Sequence, residues 1–112
     1  MAADKKGGEE SQEIIYQLEF HPQFQNDLQD AFDYYEEKQA GLGEEFMLAI
    51  EESLGWIESN PLFFQKIYKN KRKVNTQKFP YGIIYFVKGE AVYITIAIHL
   101  HRNPSIWKSR RF

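Results

Sequence analysis

The sequence predicts an α+β domain in which a hairpin of two helices covers one face of a small, mainly antiparallel sheet. Two stretches of helical apolar periodicity come first, and two long β-rich runs separated by a Gly89-Glu90 turn come last. A short β-rich run precedes the helices, so the predicted order is β-αα-βββ with a short C-terminal turn or helix. Helices grouped ahead of the strands are typical of an α+β layer pair. At 112 residues, the chain is long enough for one such domain.

The first three elements are predicted from residue spacing and from breaks. Residues Ile14–Phe20 are β-rich and precede His21-Pro22, where proline is tolerated in the first turn of a helix. The apolar residues that follow lie on one helical stripe, and a second stripe ends at Asn60-Pro61. The connection Gly41-Leu42-Gly43 is so short that the helices must form an antiparallel hairpin. The stripes consist of Phe24, Leu28, Ala31, Phe32 and Tyr35, then Phe46, Ile50, Leu54 and Ile57.

The C-terminal half supplies the sheet that the helices cover. Phe63–Tyr68 is predicted to be a loop, and Arg72–Lys78 is predicted to be a polar strand. The β-rich run Phe79–Val87 and the run that begins at Ala91 predict an antiparallel hairpin. Pro104–Trp107 predicts a terminal turn whose tryptophan packs against the sheet.

Composition excludes several classes of protein. There is no cysteine, so a disulfide framework, a thiolate nucleophile and a thiolate metal site are all unavailable. No apolar run approaches the roughly 20 residues of a membrane helix, and the N-terminus has no apolar signal segment, so the expected location is cytoplasmic. No phosphate-binding glycine loop or nucleophile elbow is found, and no cofactor, metal or small-molecule substrate is expected. Residues 1–13 are polar, and we expect a disordered tail ahead of a single domain over residues 14–112.

Charge is distributed very unevenly along the chain. Residues 1–65 carry 15 acidic side chains and 3 lysines, a net charge of −12, whereas residues 66–112 carry 11 basic side chains and Glu90 alone, a net charge of +10. A local potential of this kind attracts a polyanion or an acidic partner, even though the whole chain is nearly neutral at −2. The alternative is that the two halves neutralise each other across the fold.

Titratable and cationic groups gather where the last apolar run ends. His99 and His101 are two residues apart, so in a strand both lie on one face. A metal site is disfavoured because His21 is the only other histidine and no carboxylate lies nearby in sequence. The remaining alternatives are an acid–base role for one of the pair, or packing and capping by one histidine while the other is solvated. Arg102 follows, and its guanidinium is suited to binding phosphate or carboxylate. Pairing of Arg102 with a helix carboxylate is the alternative.

Two further segments have the composition of binding surfaces. The basic cluster Lys69–Lys73 follows Tyr68, so its cations are candidates to bind phosphates and the tyrosine is a candidate to stack on a base. The alternative is that a lysine-rich edge prevents strand-to-strand aggregation. Phe63 and Phe64, beside Pro61, are hard to bury completely and predict a partner surface.

Ordered sequence elements over roughly residues 14–107 give the chain a family resemblance. They are Phe79-Pro80-Tyr81 with Ile83 and Tyr85 in one strand, then His99, His101-Arg102, Pro104 and Trp107 after the next. The helices add Asp27-Leu28, Tyr34-Tyr35, Leu42-Gly43, Phe46 and Asn60-Pro61. Each element is weak alone, but together and in this order they are specific. The chain resembles the RelE/ParE superfamily of small bacterial toxins, and its tyrosine-rich helix and FPY strand favour the ParE-like branch.

The resemblance implies the toxin of a type II toxin–antitoxin module, of the kind associated with plasmid stabilisation. Such a toxin is held inactive by an antitoxin whose C-terminal segment lies in a groove on the toxin surface. The ParE-like branch is associated with poisoning of DNA gyrase, and the RelE-like branch cuts mRNA on the ribosome. A toxin-like binding module without activity is the remaining alternative.

The resemblance also points to candidate site residues. A nuclease needs a base, an acid and cations at the phosphate, and the residues that suit these roles are Arg72, His101, Arg102 and Lys108. The lysines and arginines that crowd the central strands of the RelE-like branch are fewer here, which favours a non-enzymatic inhibitor. The candidates for binding an antitoxin or target are Phe63, Phe64, Arg102 and Trp107.

Overall fold

The predicted two-layer α+β architecture is confirmed by the computed structural model, which describes residues 14–112. The predicted tail over residues 1–13 lies outside the described residues. In chain order the elements are β1 (Gln17–Phe20), α1 (Phe24–Lys38), α2 (Leu42–Ser59), β2 (Lys66–Tyr68), β3 (Lys71–Asn75), β4 (Tyr81–Lys88), β5 (Ala91–His99) and α3 (Ser105–Ser109). None of the described helices is long and apolar enough to cross a membrane.

The five strands form one sheet in the order β1-β5-β4-β3-β2. β1 runs parallel to β5, and every other pairing is antiparallel. The residues Lys66–Tyr68, predicted to be part of a loop, form the short edge strand β2 because they pair with β3 through an irregular register. The polar strand ends at Asn75 rather than at Lys78, whose left-handed backbone (φ 72°) belongs to the turn into β4.

The two helices form the predicted antiparallel hairpin, and their connection is stabilised by one carboxylate. Glu36, near the end of α1, accepts hydrogen bonds of 2.9 Å from the backbone N–H groups of both Gly41 and Gly43. The negative charge therefore lies at the N-terminus of α2, where the helix dipole favours it. Gly43 also lies against the Phe32 ring, so the helices approach closely at this point.

The main core lies between the helices and the sheet. It includes an aromatic cluster in which Tyr35 and Phe46 from the helices contact Phe79 and Tyr81 from the sheet, with ring centroids 4.8–6.2 Å apart. The buried apolar residues of this core are Phe24, Leu28, Ala31, Phe46, Ala49, Ile50, Ile57, Val74, Phe79, Ile83, Tyr85, Val92, Ile94 and Ala97. Burial of this much apolar surface is the main stabilising contribution to the fold.

A β-bulge in β5 creates a second, smaller core on the opposite face of the sheet. Tyr85 pairs with Ile94 and Ile84 pairs with Ile96, so Thr95 is an extra residue on β5. The alternation of side chains is therefore reversed after the bulge. Val92 and Ile94 before the bulge face the helices, whereas Ile96 and Ile98 after it face away from them. The second cluster consists of Ile84, Ile96 and Ile98, covered by Ile106 and Trp107 of α3.

The charge asymmetry of the sequence separates the two layers of the fold. α1 and α2 each carry five acidic side chains, and Lys38 is their only basic residue. The basic residues of the C-terminal half lie on the strands, on their connections and on the segment that contains α3. The face of the sheet opposite the helices, called here the far face, carries Lys71 from β3 and Lys108 from α3.

Candidate functional site

The edge of β5 is open beyond the end of β1. The parallel pairing stops at Phe20 and Ile94, whereas β5 continues to His99. Beyond that point, an ion pair between α1 and the C-terminal segment lies along the edge of β5. Arg110 and Asp27 form two hydrogen bonds, of 2.7 Å (Nη1 to Oδ2) and 3.1 Å (Nη2 to Oδ1).

The same ion pair satisfies the backbone of the β5 edge. Asp27 Oδ2 accepts a hydrogen bond of 3.2 Å from the backbone N–H of Ala97, and Arg110 Nη1 donates one of 3.1 Å to the carbonyl of Thr95. It is the one ion pair between side chains of residues 14–112. The predicted alternative of a helix carboxylate for Arg102 is therefore not realised, because Arg110 is the partner of Asp27.

A cleft of about 210 Å³ lies beside this ion pair, between α1, β5 and α3. Arg102 lines it and is exposed, and Tyr81 lies on the same wall. Burial raises the pKa of Tyr81, while the positive charge of Arg102 acts in the opposite direction. The polar lining residues are Asp27, Asp30, Tyr81, His99, Arg102 and Arg110. The cleft therefore combines carboxylates, guanidinium groups, a phenol and an imidazole.

The two predicted histidines are neighbours, but through a turn rather than along a strand. β5 ends at His99, whose ring contacts Tyr81 with a centroid distance of 5.4 Å. The His101 backbone N–H donates to His99 Nδ1 over 3.1 Å, and the two rings lie 5.2 Å apart. Among residues 14–112, no group of three or more metal-ligating side chains is found.

The predicted aromatic partner surface is held rigidly against the sheet. The buried Tyr85 hydroxyl donates to the carbonyl of Pro61 over 2.6 Å. Arg72 Nη1 donates to the carbonyls of Leu62 (3.2 Å) and Phe64 (2.6 Å). Burial raises the pKa of Tyr85 to about 12, so this phenol remains a donor at neutral pH. Residues 61–64, called here the aromatic loop, are thus fixed by two side chains of the sheet.

A shallow apolar cavity of about 370 Å³ is formed by the aromatic loop and the end of α2. Its lining residues are Trp56, Ser59, Asn60, Phe63 and Phe64. Phe63 is 74% exposed, and its ring contacts Phe64 edge-on at 5.2 Å. An exposed aromatic side chain on an immobilised loop is typical of a partner surface.

The far face carries the remaining candidates. Trp107 packs on the second core, and its ring centroid lies 5.9 Å from that of Tyr68. Lys108 Nζ lies 4.6 Å from the centre of the Tyr68 ring. The predicted packing role of Trp107 is thereby combined with a position at the edge of a cationic surface.

The structure separates the predicted site residues into distinct places. Of the four nuclease candidates, His101 and Arg102 are adjacent after β5, Arg72 lies under the aromatic loop, and Lys108 lies against Tyr68 on the far face. Of the four interaction candidates, Phe63 and Phe64 share one cavity, and Arg102 and Trp107 lie elsewhere.

Sequence reasoning missed the roles of Asp27 and Arg110 at the open edge of β5. The available signal was that Asp27 lies off the apolar stripe in the first turn of α1, where a carboxylate is expected for the helix dipole alone. Its partner lies 83 residues away, and nothing in the local pattern identifies it.

Comparison with known proteins confirms the family resemblance. A sequence model described as "ParE toxin of type II toxin-antitoxin system, parDE" matches residues 18–104. A solved structure, titled "Chromosomal ParDE TA system from P. aeruginosa", is similar with a TM-score of 0.70 and 14% sequence identity. The alignment covers 78% of this chain and 98% of the other. No match was found among curated proteins.

Proposed function

The chain belongs to the ParE toxin family of type II toxin–antitoxin systems, and we propose that it arrests growth by inhibiting DNA gyrase until a cognate antitoxin neutralises it. The observation that carries the proposal is the family match over residues 18–104. This range runs from within β1 to the turn before α3, so it includes both long helices and nearly the whole sheet. The fold shared with a chain of a chromosomal ParDE TA system supports the same proposal.

The placement of the cationic candidates supports a mechanism without RNA cleavage. Cleavage of RNA by its own 2′-hydroxyl requires a base that takes the hydroxyl proton, cations around a single phosphate and an acid that protonates the leaving 5′-oxygen. The Arg72 guanidinium is instead engaged with two backbone carbonyls on the helix-covered face of the sheet. Lys108 lies against Tyr68 on the far face, so the sheet separates the two cations.

A ribosome-dependent endoribonuclease is the second candidate, and one observation favours it. The cleft at the end of β5 brings together His99, Arg102 and Tyr81. An imidazole and a phenol are suited to proton transfer, and a guanidinium is suited to binding phosphate. Substitutions of these three residues would therefore be the first test of RNA cleavage.

The aromatic loop and its cavity are the surface that we assign to the antitoxin. Phe63 and Leu62 are 74% and 54% exposed, yet the backbone that carries them is held by Tyr85 and Arg72. A preformed apolar site of this kind loses little conformational entropy when a partner binds. The exposed Lys66 begins β2 two residues beyond Phe64, so a partner segment that combines apolar and acidic side chains fits this surface.

Two assays on the purified protein test the proposed activity. We expect the protein to inhibit DNA supercoiling by purified gyrase and to leave cell-free translation and its transcripts intact. Arg102→Ala is expected to weaken the inhibition because the guanidinium is exposed in the cleft, whereas the matched variant Lys78→Ala removes an exposed cation elsewhere and should not.

Three results contradict parts of the proposal in different ways. Cleaved transcripts with unaffected gyrase would replace it with the nuclease. Normal growth on expression of the folded protein would indicate a toxin-like binding module without activity. Equal effects of Arg102→Ala and Lys78→Ala on gyrase inhibition would remove Arg102 from the site.

A further inference from the structure

We propose that a basic and aromatic surface on the far face of the sheet binds single-stranded nucleic acid. The surface, called here the lysine–aromatic surface, consists of Tyr68, Lys69, Lys71, Phe86, Trp107 and Lys108. It goes beyond inhibition of gyrase and does not depend on it, because it concerns direct contact between this chain and a nucleic acid. The sequence pattern of cations around Tyr68 suggested such a role, and the tertiary structure adds residues from two other elements.

The geometry places ammonium groups directly against aromatic rings. Lys108 Nζ lies 4.6 Å and Lys69 Nζ lies 5.3 Å from the centre of the Tyr68 ring, and Trp107 contacts the same ring edge-on at 5.9 Å. Lys71 Nζ lies 5.6 Å from the centre of the Phe86 ring. These residues come from the β2–β3 hairpin, from β4 and from α3, so the folded sheet assembles them.

The backbone at Lys69 contributes to this arrangement. Its φ of 54° is in the left-handed region, which is uncommon for a residue other than glycine. The tight turn from β2 into β3 thereby brings the Lys69 side chain back over Tyr68, its neighbour in sequence. Two-residue hairpin turns require a positive φ, so the turn itself fixes the position of Lys69 beside Tyr68.

The cations of this surface have no anionic partner in the part of the chain that the structure describes. The ion pair of residues 14–112 is formed by Asp27 and Arg110, and Glu90 is the only acidic residue of the sequence beyond position 65. Burial lowers the pKa of Lys71, the nearby Tyr68 opposes this change, and the positive charge of Lys69 adds to it. A bound anion would relieve the repulsion between these ammonium groups.

Single-stranded nucleic acid fits this surface better than other polyanions because it supplies two matching groups. Its phosphates match the lysines, and its unpaired bases match the faces of Tyr68 and Trp107. When a base stacks on the Tyr68 ring, the Lys69 and Lys108 side chains that now cover the ring can move to the adjacent phosphates. A duplex keeps its bases stacked, and an acidic peptide has no flat ring to offer, so each matches only the charges.

Fluorescence anisotropy with labelled oligonucleotides tests the proposal on the full chain. The probes are a 12-nucleotide (dT) strand, its (rU) equivalent, an abasic strand of equal charge, a DNA duplex and poly-glutamate as competitor. We expect either single strand to bind at least about tenfold more tightly than the abasic strand, since stacking on an aromatic side chain contributes this much per base. Three lysine–phosphate contacts predict a slope of about −2 for log K against log salt. A preference for (rU) or for (dT) would support the proposal and identify the natural polymer.

Two variants locate the site. Lys71→Gln combined with Lys108→Gln should weaken binding of (dT) about tenfold or more, whereas Lys38→Gln combined with Lys78→Gln removes the same charge elsewhere and should have little effect. Tyr68→Leu should weaken (dT) binding and leave abasic-strand binding unchanged.

Several outcomes overturn the proposal. They are the absence of binding at low salt, equal losses in the two double variants, and equal competition by poly-glutamate and (dT) per unit charge. The abasic comparison uses the unaltered protein, so it decides the question of base stacking even if Tyr68→Leu fails to fold. A gyrase assay that fails leaves this result untouched, so the two proposals are separately testable.

Discussion

The Asp27 carboxylate of α1 and the Arg110 guanidinium of the C-terminal segment meet in a two-bond fork although 83 residues separate them. The fork takes the place of a neighbouring strand at the edge of β5, because Asp27 accepts a hydrogen bond from Ala97 N–H and Arg110 donates one to the Thr95 carbonyl. It therefore connects the helical layer, the bulge in β5 and the chain terminus. Loss of Asp27 leaves the Ala97 N–H and the Arg110 guanidinium without this acceptor, and loss of Arg110 leaves the Asp27 carboxylate and the Thr95 carbonyl without this donor.

The Asp27–Arg110 interaction should show strong coupling in a double-mutant cycle. Arg110→Ala is expected to lower the free energy of unfolding by about 2 kcal/mol, because it leaves a mostly buried carboxylate with one partner fewer. Asp27→Ala should cost more, since it also leaves Ala97 N–H unpaired. Denaturant unfolding of the double variant should show a loss about 1 kcal/mol smaller than the sum. Additive losses, or an equal loss in the exposed control Arg111→Ala, would contradict the assigned coupling.

Two glycines of α2 should respond to alanine with opposite sign. A Cβ at Gly43 would lie 2.8 Å from the Phe32 ring and 2.9 Å from Glu36 Oε1, so Gly43→Ala should destabilise the protein by about 1–2 kcal/mol. Gly55 has nothing within 4 Å of the same position, so Gly55→Ala should stabilise the helix by about 0.5–1 kcal/mol. Thermal unfolding of both variants measures the difference. Stabilisation by Gly43→Ala would show that the helices do not approach closely at this point.

The Tyr85 phenol should make stability decrease at alkaline pH. Its pKa is raised from 10.0 to about 12, so the folded protein holds this proton more tightly than the unfolded chain. This difference in proton binding adds to the free energy of unfolding in full below pH 10, and the contribution is lost as pH rises through 12. The free energy of unfolding then decreases by up to about 2–3 kcal/mol. Tyr85→Phe should remove this part of the pH dependence.

Tyr85→Phe should also lower stability at neutral pH. It leaves the Pro61 carbonyl without its buried donor, at a cost of about 1–2 kcal/mol. Denaturant unfolding between pH 7 and 12 measures both effects, and the exposed Tyr34→Phe serves as the control at pH 7. An unchanged slope between pH 10 and 12 would show that Tyr85 does not retain its proton in this range.

Phe63→Ala should weaken antitoxin binding without destabilising the protein. The side chain is 74% exposed, so its removal costs little folding free energy, whereas loss of a central aromatic contact typically costs about 2 kcal/mol or more of binding. Calorimetric titration with the purified antitoxin measures the affinity. The matched control is Leu48→Ala, which removes a 64% exposed apolar side chain from the outer face of α2. Equal losses in both variants would exclude the aromatic loop as the docking surface.

Salt should slow association of the antitoxin more than it speeds dissociation. The strands and the C-terminal segment carry the positive charge of the chain, and an acidic partner segment is attracted to it over a distance that salt shortens. Stopped-flow association at 50 and 500 mM salt measures the effect. Association rates that do not change with salt would indicate that the apolar cavity alone guides binding.

The sequence by itself determined the architecture and the polarity of this protein. Helical spacing, the short Gly41-Leu42-Gly43 connection and the Gly89-Glu90 turn predicted the hairpin of helices and the main hairpin of strands, because these signals are local. The separation of acidic and basic residues along the chain became a separation between layers, since the helices precede the strands. The exposure of Phe63 was also predicted from a local signal, because two adjacent phenylalanines beside Pro61 are hard to bury completely.

Only the tertiary structure decided the features that depend on pairing across the sheet. Edge strand β2 exists because β3 supplies its hydrogen bonds, and Arg72 serves the aromatic loop because its register places it opposite Tyr85. The bulge at Thr95 turns Ile96 and Ile98 to the face of Ile84, where the three form a second core that α3 covers. The fork between Asp27 and Arg110 and the rings that gather around Tyr68 follow from this arrangement. Such contacts join residues far apart in sequence, and their free energy depends on geometry that local spacing does not contain.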